Sequence, residues 1–158
     1  MRALTAPIVF GLVATGAALA APVPVLTLRS ADRSLTMSLA DGAPFTSSYT
    51  QSIYKAPVVE ELERRADAIH LLRVRSTDRR AVEYFGWTGP IHSEDGWYVE
   101  DAPPNVVTQL VIRTTAGYDQ RITDASMSVR LAPRFGDEVR VTVRPAAVPR
   151  LVALLTAP

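Results

Sequence analysis

The sequence predicts an all-β domain: a small antiparallel β-sandwich or partly open β-barrel, with room for one short helix. Three observations carry this. Leu35, Met37 and Leu39 alternate with Thr36, Ser38 and Ala40, Met127, Val129 and Leu131 with Ser126, Ser128 and Arg130, and Val139, Val141 and Val143 with Arg140, Thr142 and Arg144. A period of two places one such set on one face of a strand. Glycine, aspartate and proline turn signals separate these short runs. No helical pattern recurs after each strand, as the crossovers of a parallel sheet would require.

In chain order, Val25–Leu28 is a short apolar run, and Ala31-Asp32-Arg33-Ser34 a turn before Leu35. Asp41-Gly42 is a second turn. Phe45–Ile53, rich in Thr, Ser and Tyr, reads as a strand with a polar face. Pro57–Ala66 has two readings. Val58, Leu62, Ala66 and Ile69 recur at helical spacing, Pro57 suits a first turn and the glutamates suit the positive end of the dipole. This slightly favours a helix, whereas Asp67 equally marks a hairpin between two strands. Ile69–Val74 is a buried strand in either case.

Thr77-Asp78-Arg79-Arg80 reads as a polar connector, Val82–Trp87 as an aromatic run ended by glycines and Pro90, and Ile91–Asp95 as loop. Asp95-Gly96 turns into a strand at Trp97 that Pro103-Pro104-Asn105 stops. Val107–Thr115 reads as one strand, Gln120–Thr123 as another, and Pro133–Glu138 as loop. Pro145–Pro158 is either a short closing element or a frayed end.

The first residues, MRALTAPIVFGLVATGAALAAPV, have one charge, Arg2, then an apolar run from Ile8 to Ala21. Ala18-Leu19-Ala20 offers the small-x-small pattern that signal peptidase accepts. This is the layout of a secretory signal peptide, cleaved after Ala20 (1–20), followed by a single β-rich domain over 21–158. The alternative is a retained N-terminal membrane anchor, since no charge occurs between Ala3 and Leu28 and roughly 20 residues cross a bilayer. Either way the domain is expected outside the cytoplasm, periplasmic or at the cell surface. The chain has no cysteine, which removes disulfides, thiolate metal sites, thiol catalysis and a lipoprotein anchor. Without Arg2, 16 basic residues face 16 acidic ones. A net charge of zero argues against nucleic acid as a partner.

Phe45, Tyr49, Ser52, Pro57, Val58 and Glu60 form a spaced motif. It resembles that of an uncharacterised family of small exported domains encoded beside TAXI-type TRAP transporters. Ile53 stands for the family's valine and Gln51 for its usual histidine. The resemblance runs from about Val25 to Val143, with Tyr84–Pro90 standing for a glycine-rich proline loop. It implies a non-enzymatic, membrane-associated accessory role, with the transporter's membrane or solute-receptor subunits as partners. It supplies no catalytic residues.

Two residue groups are candidates for binding. Tyr49, Gln51, Ser52, Glu60 and Glu61 would approach one another if the strand from Phe45 pairs with the segment after Pro57. That bend would bring the Glu60 carboxylate toward the Tyr49 and Ser52 hydroxyls, to hold a small polar ligand or simply to brace the bend. Tyr84, Phe85, Trp87, Trp97 and Tyr98 could line a glycan or peptide groove, or fill the core. These groups support the alternative of a freestanding binding module, and a structural envelope protein is a third reading. His70 lies among Ile69, Leu71 and Leu72 as a structural residue. His92 lies near Glu94 and Asp95, but further ligands are missing and no metal is assigned. The chain has no Gly-x-Ser-x-Gly elbow, His-Glu-x-x-His or phosphate loop, so no reaction or cofactor is implied.

Overall fold

The computed structural model describes residues 19–156. The apolar leader before Leu19, with its readings as signal peptide or anchor, lies outside the described residues. The strands are β1 (Pro22–Arg29), β2 (Ser34–Ser38), β3 (Pro44–Thr50), β4 (Pro57–Arg65), β5 (Ala68–Ser76), β6 (His92–Glu94), β7 (Trp97–Asp101), β8 (Val106–Val107), β9 (Leu110–Arg113), β10 (Arg121–Thr123), β11 (Ser128–Arg130) and β12 (Arg140–Pro149). Three short helices interrupt them: α1 (Arg79–Glu83), α2 (Leu131–Phe135) and α3 (Arg150–Thr156). All pairings are antiparallel. A four-stranded sheet A runs β2-β1-β12-β9. An eight-stranded sheet B runs β11-β10-β3-β4-β5-β7-β6, with β8 on β5. The two do not close into a barrel.

Alternation builds the main core. Leu26 and Leu28 of β1, Leu35 and Met37 of β2, and Val141 and Val143 of β12 pack on Phe45, Leu62, Ile69 and Ile122 of sheet B. Each is fully or almost fully buried, worth about 1.5–3 kcal/mol per large aliphatic side chain. A second cluster, Ala56, Val58, Val74, Ala81 and Val82, lies farther along the same face of sheet B. It is covered by α1 and by Phe85, Trp87 and Ile91 rather than by sheet A.

Of the two readings of Pro57–Ala66, the hairpin holds and the slightly favoured helix does not: the segment is strand β4. Val58 and Leu62 are four apart, a spacing that suits a helix and is also an even step along a strand. The even positions Val58, Leu62 and Arg64 are the buried ones. Pro57 opens the strand, where its missing N–H costs no ladder bond. Ala66-Asp67 is the hairpin turn. A bulge between Glu61 and Leu62 then shifts the register, so Leu62 meets Leu71 while Glu61 meets Arg73. Leu72 is the extra residue and is exposed.

The helices lie elsewhere. Asp78 caps α1, accepting from the Arg80 backbone N–H at 2.9 Å, so Arg79 and Arg80 belong to a helix rather than a connector. The expected loop at Pro133–Glu138 contains most of α2, and His92–Glu94 is a strand rather than loop. Asp95 and Gly96 both have positive φ, the two-residue hairpin geometry that matches strand twist. The single strand expected over Val107–Thr115 is split into β8 and β9. Of the tail, β12 continues to Pro149 and α3 (to Thr156) folds over β2, where Thr36 Oγ1 meets Thr156 Oγ1 at 2.7 Å. That cover explains why Thr36 is buried despite its outward position.

Ala66 sits at φ 52° in the β4–β5 turn, with its N–H donated to Asp41 Oδ1. A left-handed conformation costs a non-glycine residue about 1–2 kcal/mol, partly offset by the entropy glycine adds to the unfolded chain. Ala66→Gly is therefore expected to stabilise the fold by up to about 1 kcal/mol, read as a melting temperature raised by ~3 °C.

Candidate functional site

The hairpin β3–β4 places Ser47 directly opposite Glu60, and Tyr49 opposite Val58. Ser47, Tyr49 and Glu60 therefore share the inner face of sheet B. Glu60 lies between Val58 of the second cluster and Leu62 of the main core. It occupies the seam where one cover ends and the other begins.

A cleft of about 260 Å³ opens over this seam. Its floor is Ser47, Tyr49 and Glu60, and its apolar wall is Leu110, Ile112 and Leu131. Gln120 and Arg121 stand at its rim. It exists because β9 is the free edge of sheet A and stops short of covering β3 and β4. Gln120 secures that edge, accepting from the Thr115 N–H at 2.7 Å and donating to the Arg113 carbonyl at 2.8 Å.

Burial raises the Glu60 carboxyl above its ordinary value, and the neighbouring Tyr49 and Ser47 hydroxyls only partly counter it. Burial also pushes the Tyr49 phenol well up, reinforced by the charge of Glu60. A carboxyl whose charge is disfavoured by burial, beside two hydroxyls, can accept from, or pair with, a donor entering the cleft. Leu110, Ile112 and Leu131 would cover its apolar part.

The expected cluster is thus divided. Tyr49 and Glu60 come together, whereas Ser52 is exposed in the loop after β3. Ser47 holds the place expected of Ser52, because the strand ends at Thr50. Gln51 is buried at the base of that loop, its N–H donated to the Ala56 carbonyl at 2.8 Å and its own carbonyl accepting from Lys55 at 2.9 Å. Glu61 projects to the opposite face of β4, paired with Arg73 at 2.8 Å and Arg75 at 3.2 Å.

The aromatic group does not form one surface. Phe85 and Trp87 pack against the second cluster with their rings tilted by 54° and their centroids 5.1 Å apart. Tyr84 is exposed, Tyr98 is at the surface, and Trp97 carries the Arg75 guanidinium 5.0 Å above its ring. His70 lies opposite Glu63 in the β4–β5 pair, and His92 is exposed 3.9 Å from Glu94.

Sequence reasoning missed Ser47, Gln120 and Glu100. The shared parity of Phe45, Ser47 and Tyr49 was a signal for Ser47. Glu100 carried none. It lies opposite Val74, which lies opposite Glu60, so both acids occupy one row across sheet B. Glu100 is 1 % exposed, and neither carboxylate oxygen has a hydrogen-bond partner. Gly89 closes over it, and a Cβ there would stand 3.4 Å from Oε1. No family model, curated protein or solved structure matches the chain.

Two outcomes follow from these acids. The folded protein holds the Glu60 proton more tightly than the unfolded chain. Glu60 therefore favours folding below its ordinary value of 4.5, and that contribution is lost as pH rises through the raised folded value. Melting temperatures of wild type and Glu60→Gln against pH should shift in favour of the variant across that window. Glu100→Met keeps the volume and removes an unpartnered polar group, and should stabilise by about 1–3 kcal/mol in a denaturant titration.

Proposed function

We propose that the chain is a non-enzymatic, extracytoplasmic accessory domain of a TAXI-type TRAP transport system, which holds a small ligand in the cleft over Glu60. One observation carries this reading. Tyr49 and Glu60, two residues of the motif on which the resemblance rests, meet on the floor of that cleft. Phe45 and Val58 of the same motif anchor the two apolar clusters on either side. The motif therefore reads as the frame of a site, with Pro57 starting the returning strand. The ligand class follows from the lining: an ammonium or hydroxyl donor toward Glu60 and a small apolar body toward Leu110, Ile112 and Leu131.

The test is co-purification with the solute-receptor or membrane subunits of the transporter, for wild type, Glu60→Ala and Tyr49→Phe. Glu60→Ala should weaken association at least tenfold with the melting temperature changed by only a few degrees. A variant that associates as wild type removes the reading. Association lost only together with the fold would make the cluster a brace for the bend at Ala56-Pro57. Small-molecule binding at the cleft without any transporter subunit would favour the freestanding binding module instead.

A further inference from the structure

The outer face of sheet A carries a different chemistry. Outward positions of β1, β12 and β9 bring Arg29, Arg140, Arg144 and Arg113 onto one surface. Arg140 lies directly opposite Arg113. Arg29 lies opposite Thr142, which makes it the diagonal neighbour of both Arg140 and Arg144. Directly opposed side chains on a sheet start about 5 Å apart and diagonal ones about 7–8 Å, and like charges so placed repel. Glu138 pairs with Arg113 at 2.7 Å. Among the described residues, Arg29, Arg140 and Arg144 make no ion pair, although Arg65, Arg73, Arg79, Arg80, Arg121 and Arg130 all do.

These three unpaired arginines line one open groove of about 460 Å³, the size of a small-molecule site, together with Ser30, Gln109 and Thr142. Among the described residues, no carboxylate lines it. α3 covers the other part of the same sheet face, near Thr36, and leaves this part bare. The chain is balanced overall, so the concentration is local rather than a consequence of a basic protein.

We infer that this groove is a second binding site, for a small polycarboxylate. Among the described residues no ion pair offsets the repulsion among the three guanidinium groups, and a ligand with at least two anionic groups would relieve it. The planar fork of arginine matches carboxylate in bidentate fashion, and serine, threonine and glutamine can complete the contacts. The lining is made of arginine forks from β1 and β12 beside the Ser30-Ala31 turn, and none of it is the helix N-terminus that commonly cradles phosphate. This site is on the opposite side of sheet A from the Glu60 cleft and does not rest on the reading given to that cleft.

Isothermal titration calorimetry of the full chain with citrate, at ionic strength matched by sodium chloride, tests the inference. Saturable binding is expected, with acetate giving none. Arg29→Gln/Arg140→Gln should weaken citrate binding at least tenfold while melting at or above the wild-type temperature, because it removes mutual repulsion. Arg144→Gln alone should weaken it in the same direction, and Arg79→Gln, in α1 and away from the groove, should leave it unchanged. Absence of citrate binding, or equal binding by the double variant, overturns the site. Pyrophosphate binding tighter than citrate, lost in the same variants, would overturn the carboxylate assignment.

Discussion

The pairing of β1 with β12 is the constraint on which the rest depends. These strands join the two ends of the domain along the whole length of β1, from Pro22 opposite Pro149 to Arg29 opposite Thr142. They are also the two central strands of sheet A, so β2 and β9 are held only through them. Without this ladder, Leu26, Leu28, Val141 and Val143 leave the core together, and Phe45, Leu62, Ile69 and Ile122 lose their cover. Contacts across such a separation close late and make folding slow.

The position of the cleft follows from a mismatch in sheet width. Sheet B has eight strands and sheet A four, so sheet A cannot cover the whole inner face. The remainder is closed by α1 and by Phe85, Trp87 and Ile91. Two covers of different origin do not meet tightly, and a polar residue at their junction can be buried and still reached from outside. Glu60 is in that place, whereas Glu100, in the same row two strands away, lies beneath the second cover with Gly89 against it. The same residue type thus has an accessible role at the seam and an internal cost one cover farther on.

The fold class was legible because the alternations at Leu35–Leu39 and Val139–Val143 are governed by burial on one face, which a sequence records directly. Pro57–Arg65 kept two readings because Val58 and Leu62 satisfy both periods, and the bulge at Leu72 hides the register of the following strand. The polar surroundings of Thr36 gave no hint of its burial, since the cover comes from α3, far away in the chain. In the candidate site, Tyr49 and Glu60 could be placed by reasoning about the bend alone. Ser47 replaced Ser52 because the strand ends two residues before Ser52, and strand ends are set by tertiary pairing more than by local pattern. The wall of the cleft, Leu110, Ile112 and Leu131, comes from segments with no local relation to β3 and was not accessible to such reasoning.

A formal balance of charges also concealed how they are arranged. On the outer face of sheet B, Glu61 bridges Arg73 and Arg75, and Arg73 reaches on to Glu94 at 3.1 Å, so neighbouring strands are tied by alternating signs. Such pairs are individually weak at the surface, but they match the register and oppose slippage. The outer face of sheet A has the opposite arrangement, with Arg140 across from Arg113 and Arg29 diagonal to two further arginines. Both faces sit on the same scaffold and obey the same strand geometry, so structure alone does not require the second pattern. A formal net charge of only +1 gives little long-range attraction for an anionic partner, and what remains is recognition at contact, where three guanidinium forks face a groove that no described carboxylate lines.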